Sequence, residues 1–269
     1  MKAFIQHFVF EFKTGIRNKQ LLLMNYLFPL VFFLMMGFVM TAINPHFEEI
    51  LLPSMVTFTI IFSAIFGIPD PLVSTRENGI FRSYKINGIP SISILVIPIV
   101  SSIMHMLIAT GIMTLLTAIL FDAPMPSNWL NYFLMILLGA LAASTLAVLI
   151  GVVSPNTRLT VMYSQVIFIP SMLIGGVMMP FSVLPETVSK FALAFPTTHI
   201  MNEITSLAMG FPPDFNVEDS IITLLAGAVI AFLLSILLFS WDSKNSTRKA
   251  HPALAVLVFL PYIIFIFTH

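Results

Sequence analysis

The sequence predicts an all-α polytopic membrane bundle, and three observations predict it. Charged residues make up 9% of the 269-residue chain, where a soluble domain carries roughly 25%. Apolar residues make up 58% and gather in long runs, and about 20 such residues carry one helix across the roughly 30 Å of bilayer hydrocarbon. Eleven of the twelve Lys and Arg residues fall in alternate gaps between those runs, the distribution that marks cytoplasmic loops. Barrel strands would be about ten residues of alternating pattern, and only structures that satisfy their own backbone hydrogen bonds can face lipid.

Six spans follow, at about 21–43, 51–73, 91–121, 130–153, 159–180 and 218–241. A seventh apolar run, Ala253 to Phe267, is short for a crossing and carries Pro261; spanning thinly, lying at the interface and re-entering all stay open. Lys2, Lys13, Arg17, Lys19, Arg76, Arg82, Lys85, Arg158, Lys244, Arg248 and Lys249, with four acidic residues, are assigned to the cytoplasm, and Lys190 with eight acidic residues to the outside. The zero net charge therefore conceals +7 inside and −7 outside. The expected setting is a plasma or inner membrane with a cytoplasmic N terminus. Nineteen residues with five charges precede the first run and no A-x-A-like site follows it, so that span is expected to remain as an anchor.

Each remaining element has its own signal. Phe4, Phe8 and Phe12 recur every four residues, with Ile5, Val9 and Ile16 alongside, which predicts an amphipathic interfacial helix over 1–20. In the gap after the second run, Ser74 and Glu77 have capping-box spacing and Asn87-Gly88 precedes Pro90. A helix of about three turns over 75–87 is predicted, despite about 1 kcal/mol lost to Gly79 in its interior. Ile80 and Tyr84 would share a face with Phe81 beside them and Arg82 and Lys85 as shoulders, an apolar knuckle suited to a groove on a soluble partner. Pro180, Pro185, Pro196, Pro212 and Pro213 break the external stretch 181–217 into short pieces. Irregular backbone at membrane depth needs protein or a water-filled cavity beside it, and a plain surface loop is the alternative.

Two of these stretches carry a resemblance. Arg76-Glu77-x-Gly79, then Arg82, then Pro90-Ser91 at the mouth of the next span, resembles the cytoplasmic loop of permease subunits of type-2 ABC exporters. GGVMMPFSVLPETVSKFALAFPTTHI, residues 175–200, is similar to that family's segment after the fifth span. Each motif is degenerate alone, and in order along about residues 1–245 they are fairly specific. The resemblance implies that Arg76, Glu77, Gly79, Ile80, Phe81, Arg82, Tyr84 and Lys85 belong to a coupling helix that contacts a separate ABC ATPase. It also implies that the external segment, with Pro180, Leu184, Pro185, Pro196 and His199, forms two short helices that dip into the outer leaflet and cap the translocation path. Arg82 after the Gly looks closer to the drug and small-peptide branch than to polysaccharide exporters. The chain departs from the six-span plan beyond residue 250, where residues 242–269 read as a basic linker and a short apolar segment.

Polar groups inside spans are expensive and are functional candidates. These are Asp70 between Pro69 and Pro71, His105, and the neutral Gln165 and Asn25. His105 is expected to be a hydrogen-bonded packing residue and Asp70 to pair with Arg76. His199 and Glu203, i and i+4, are expected to form a helix-surface pair, since no third metal ligand is in view. No GxxxxGK[ST] loop occurs, so ATP and Mg would sit on a partner subunit; no catalytic, cofactor or metal residue and no nucleic-acid partner is expected here. One copy encloses little, so a path would lie between two permeases, identical or not, with Gly111, Gly139, Ala142, Ala143, Gly151, Gly175 and Gly176 allowing close approach. The expected function is the membrane subunit of an ATP-driven exporter of amphipathic or lipophilic molecules, working by alternating access. A partner-free secondary transporter or channel, which would need ion-coupling residues and repeats, is the alternative.

Overall fold

The computed structural model describes residues 2–44, 47–242 and 250–268, and among them every regular element is helical. In chain order these are α1 (Lys2–Arg17), α2 (Lys19–Ile43), α3 (Phe47–Glu77), α4 (Ile80–Ile86), α5 (Ser91–Leu120), α6 (Trp129–Val153) and α7 (Thr157–Ile174). After them come α8 (Glu186–Ala192), α9 (Pro196–Glu203), α10 (Val217–Leu238), a 3-10 stretch (Pro252–Phe259) and α11 (Leu260–Thr268). Six of these, α2, α3, α5, α6, α7 and α10, are long and apolar enough to cross a membrane. The basic residues Lys244, Arg248 and Lys249 of the expected linker lie outside the described residues, as does the side chain of Phe4.

Two helices form the axis. Every residue of α3 from Leu51 to Ile65 is buried, as is every residue of α6 from Ala142 to Val152. The outer helices α2 and α7 present Val31, Met35 and Phe38, and Val161, Val166 and Ile169, to the surroundings. At the basic end of the bundle, a Cβ at Gly151 of α6 would lie 2.8 Å from Leu72 and 3.2 Å from the backbone of Pro69. Only a glycine lets α3 come this close. Several of the small residues are thus used inside the protomer, Gly139 against Ile200 and Gly151 against Leu72, while Gly111 is left on the surface.

Proline shapes the crossings. Pro29 has no amide to give the carbonyl of Asn25, and α2 widens into a π turn over Leu23–Leu27 just before it, a common way to accommodate a break in the ladder. The fifth crossing ends at Ile174 instead of about 180, because Gly175 caps it and Gly176 turns left-handed with φ 86°.

The second crossing runs on to Glu77, which corrects the expected helix over 75–87. Ser74 lies inside α3 and does not begin a helix. The break falls at Asn78-Gly79, where Gly79 adopts φ 73°, a region glycine enters without a Cβ penalty. The expected Asp70–Arg76 pair is also corrected. Arg76 is 3% exposed, and its guanidinium donates to the carbonyl of Val152 at 2.9 Å and to that of Ser154. The Asp70 carboxylate instead accepts from Gln20 at 3.5 Å. Helix C-termini leave carbonyls without intrahelical donors and carry partial negative charge, so a buried guanidinium at the end of α6 satisfies both.

Replacing Arg76 by Met should lower the thermal midpoint of the permease in detergent by roughly 2–10 °C, from about 1–3 kcal/mol of lost charge-assisted bonding. Replacement by Lys, a single-point donor, should fall between. An unchanged midpoint for Arg76→Met would show that this tie does not hold the two crossings together.

Candidate functional site

The loop that resembles a coupling element is a two-turn helix, α4, bounded by left-handed Gly79 and by Gly88 at φ 74°. Phe81 is buried against Phe239 just past α10, with ring centroids 5.8 Å apart, and Arg82 forms an ion pair with Asp242. On the other side, Tyr84 meets His7 of α1 edge-on at 5.6 Å. The helix is therefore gripped between α1 and the end of the last crossing. Its outward face carries Ile80, Ser83, Lys85 and Ile86, and Ile86 is 85% exposed. Tyr84 faces inward, which corrects the knuckle expected from sequence, and Ile86 takes its place. The i, i+3, i+6 spacing of Ile80, Ser83 and Ile86 marks this face in a helix that begins at Ile80, not before Gly79. Glu77 is exposed at the end of α3, and Arg76 is buried.

Helix α1 uses its aromatic stripe in two ways. Phe12 stacks on His105 of α5 with centroids 4.5 Å apart and planes 2° apart, and Phe8 stacks on Phe12. Ile5, Val9, Phe10 and Ile16 stay exposed as an apolar edge. The His105 Nδ1 shares a 2.6 Å hydrogen bond with the Tyr26 hydroxyl of α2. Beneath α1 lies a cavity of about 80 Å³ lined by His7, Glu11, Asn25, Tyr84, Ser101 and His105 among others. One small polar space thus touches α1, α2, α4 and α5. Burial in it pushes the Glu11 carboxyl above its ordinary range and holds the His7 imidazole below its own.

A raised Glu11 disfavours the ionised form in the folded protein. Its contribution to stability is therefore largest below the ordinary carboxyl range and is lost as pH rises through the raised value. Glu11→Gln should raise the thermal midpoint relative to the native chain at neutral and alkaline pH and leave little difference near pH 4. A constant difference across that range would exclude Glu11 titration as the cause.

At the acidic end, residues 177–216 fold back among the crossings. Pro180 and Pro185 are exposed and Leu184 is half-buried around a short 3-10 turn, whereas α9, from Pro196 onward, is buried along its whole length. Ile200 lies over Gly139 of α6, and the Ser54 and Thr57 hydroxyls of α3 lie 4.0 and 3.8 Å from the Met201 sulfur. The chain returns where the Ala208 carbonyl accepts from the Asn128 amide at 3.1 Å and from Ser127.

His199 and Glu203 are both 0% exposed, which corrects the surface pair expected from their spacing. Ser220 of α10 sits between them, 3.0 Å from His199 Nδ1 and 3.1 Å from Glu203 Oε1, while His199 Nε2 donates to the Leu193 carbonyl at 2.9 Å. The linking residue comes from another crossing, and no local pattern announces it. Among the described residues no three His, Asp or Glu side chains come together to hold a metal ion. Gln165 is exposed on α7, and its neighbour Ser164 is the one turned inward, donating to the Ile65 carbonyl at 3.0 Å.

The ABC-2 type transporter family model matches residues 3–209, which take in α1, the first five crossings, α4 and α9. The chain belongs to the ABC-2 type transporter family. It is also similar to a Bacillus subtilis (strain 168) protein that carries the name transport permease YvfS, being 28% identical over 230 residues, 84% of this chain and 92% of the relative. No solved structure matches the chain. This ABC-2 type protein is a multi-pass membrane component of an ABC transporter and not its ATPase, and the family generally works with an ATP-binding subunit.

Proposed function

We propose that this ABC-2 permease is the membrane half of an exporter, with the N terminus and α4 in the cytoplasm, and that α4 receives the motion of a separate ATPase. The observation that carries the reading is the two-sided character of α4. Its inner face is locked to α1 by Tyr84 and to the end of α10 by Phe81 and Arg82. Its outer face leaves Ile80 and Ile86 exposed beside Lys85. A helix so placed can be pushed from outside and passes the displacement to two parts of the bundle at once.

ATP and Mg would be held by the partner subunit. The path would lie between two permeases, identical or different, and the exposed apolar faces of α2 and α7 support it, because neither is covered within one copy. The segment from Pro180 through His199 would form the outer gate, supported by the depth at which α9 is buried. The abundance of apolar side chains fits an amphipathic or lipophilic drug, peptide or lipid as cargo. The excess of basic residues on the α4 side supports an inner-membrane protein with that side inward.

The test uses the tagged chain purified in mild detergent from its own host, with Ile80→Asp and Ile86→Asp made separately. An ATPase should accompany the native chain in near-equal amount. Each variant should lose most of it, by tenfold or more, with an unchanged thermal midpoint. Tyr84→Asp, on the inner face, should lower the midpoint as well. Retention of the ATPase by both outward-face variants would sink the docking assignment.

A further inference from the structure

The uncharged stretch Pro252–Thr268 lies against the sixth crossing. As a regular α-helix its 17 residues would rise only about 26 Å, short of the roughly 30 Å of hydrocarbon. The structure is different: Pro252–Phe259 is 3-10 and Leu260–Thr268 is α. At about 2.0 Å per 3-10 residue and 1.5 Å per α residue, the stretch rises about 30 Å. Pro261 sits in the first turn of α11, where its missing amide breaks no α-helical bond.

The contacts give the direction. The sixth crossing ends at the basic end of the bundle, where Phe239 meets Phe81 of α4, and the described chain resumes eight residues after Asp242. Tyr262 packs at mid-depth, its hydroxyl occupying the space a Cβ on Gly227 would need, 2.6 Å away. Phe265 meets His199 edge-on at 4.8 Å and Phe215 at 5.5 Å, both at the acidic end. Tyr262 also meets the His199 ring, at 5.4 Å. The two rings lie against His199 of the His199–Ser220–Glu203 network.

We infer that residues 252–268 form a seventh crossing, part 3-10 and part α, that brings Thr268 to the side opposite His251 and seals the buried polar network that anchors α9. This goes beyond the exporter reading and holds whether or not an ATPase docks on α4. Burying an ionisable cluster against hydrocarbon is costly, and an apolar strap with two aromatic rings over it removes that exposure. Pro261 and the 3-10 turns are what allow a stretch this short to reach.

The chain has no cysteine, so single cysteines can be placed in the full-length protein and labelled with a membrane-impermeant maleimide in intact cells and in inverted vesicles. Lys85→Cys and Glu186→Cys mark the two sides. His251→Cys should label with position 85 and Thr268→Cys with position 186; labelling of both from one side would overturn the crossing. For the seal, amide exchange over residues 196–208 should rise at least tenfold when 252–268 is deleted, and by a smaller factor in Phe265→Ala, which keeps the segment. Exchange over 80–86 should be unchanged in both. Unchanged exchange over 196–208 in the Phe265→Ala protein would overturn the sealing role even if the deletion fails to fold.

Discussion

The end of the fourth crossing is closed by a side chain of the second. Arg76 reaches from the last turns of α3 to the carbonyls of Val152 and Ser154, beside the point where Gly151 lets the two helices touch. Both α3 and α6 are without lipid contact over much of their length, so their relative position sets the frame on which the other crossings pack. A charged hydrogen bond suits this place because in a dry interior an unmet carbonyl costs more than in water.

From that frame the two ends of the molecule acquire different mechanics. At the basic end α4 is a short, separately hinged helix held by side chains from α1 and the last crossing, with a small polar cavity behind it where α1, α2, α4 and α5 meet. A loosely filled polar joint tolerates small rotations better than a close-packed apolar one, whose repacking is penalised. At the acidic end α9 is buried on every side and tied by hydrogen bonds to α10 and, at its return, to the start of α6. The first is held by a few side chains, while the second is enclosed by the helices around it.

Several differences between sequence expectation and structure have one origin. Ser74 and Glu77 carry a genuine capping-box spacing, but the second crossing overruns them, because Leu72 and Arg76 find partners on α6 that keep the helix going. A helix that starts at Ile80 presents a different face, so Tyr84 turns inward and Ile86 outward. For His199 and Glu203 the i, i+4 spacing puts both on one helix face, but their environment is set by Ser220, Phe215, Tyr262 and Phe265, which come from other parts of the chain. Of the α1 stripe, Phe12 turns to His105 with Phe8 stacked on it, and Ile5, Val9 and Ile16 stay exposed, a division that periodicity alone does not contain.

What the sequence by itself determined was the membrane class, the number and approximate limits of the six long crossings, the separation of charge between the two sides and the places where proline and glycine interrupt the chain. These are local properties: hydrocarbon thickness sets the length of a run, and backbone chemistry sets its breaks. Only the tertiary structure decided which face of α4 is free, that Arg76 belongs to the end of α6, that His199 is buried, and how residues 252–268 lie along α10. Each depends on side chains more than twenty residues apart meeting in space. In a chain that is apolar nearly throughout, one hydrophobic surface looks much like another until the helices are packed.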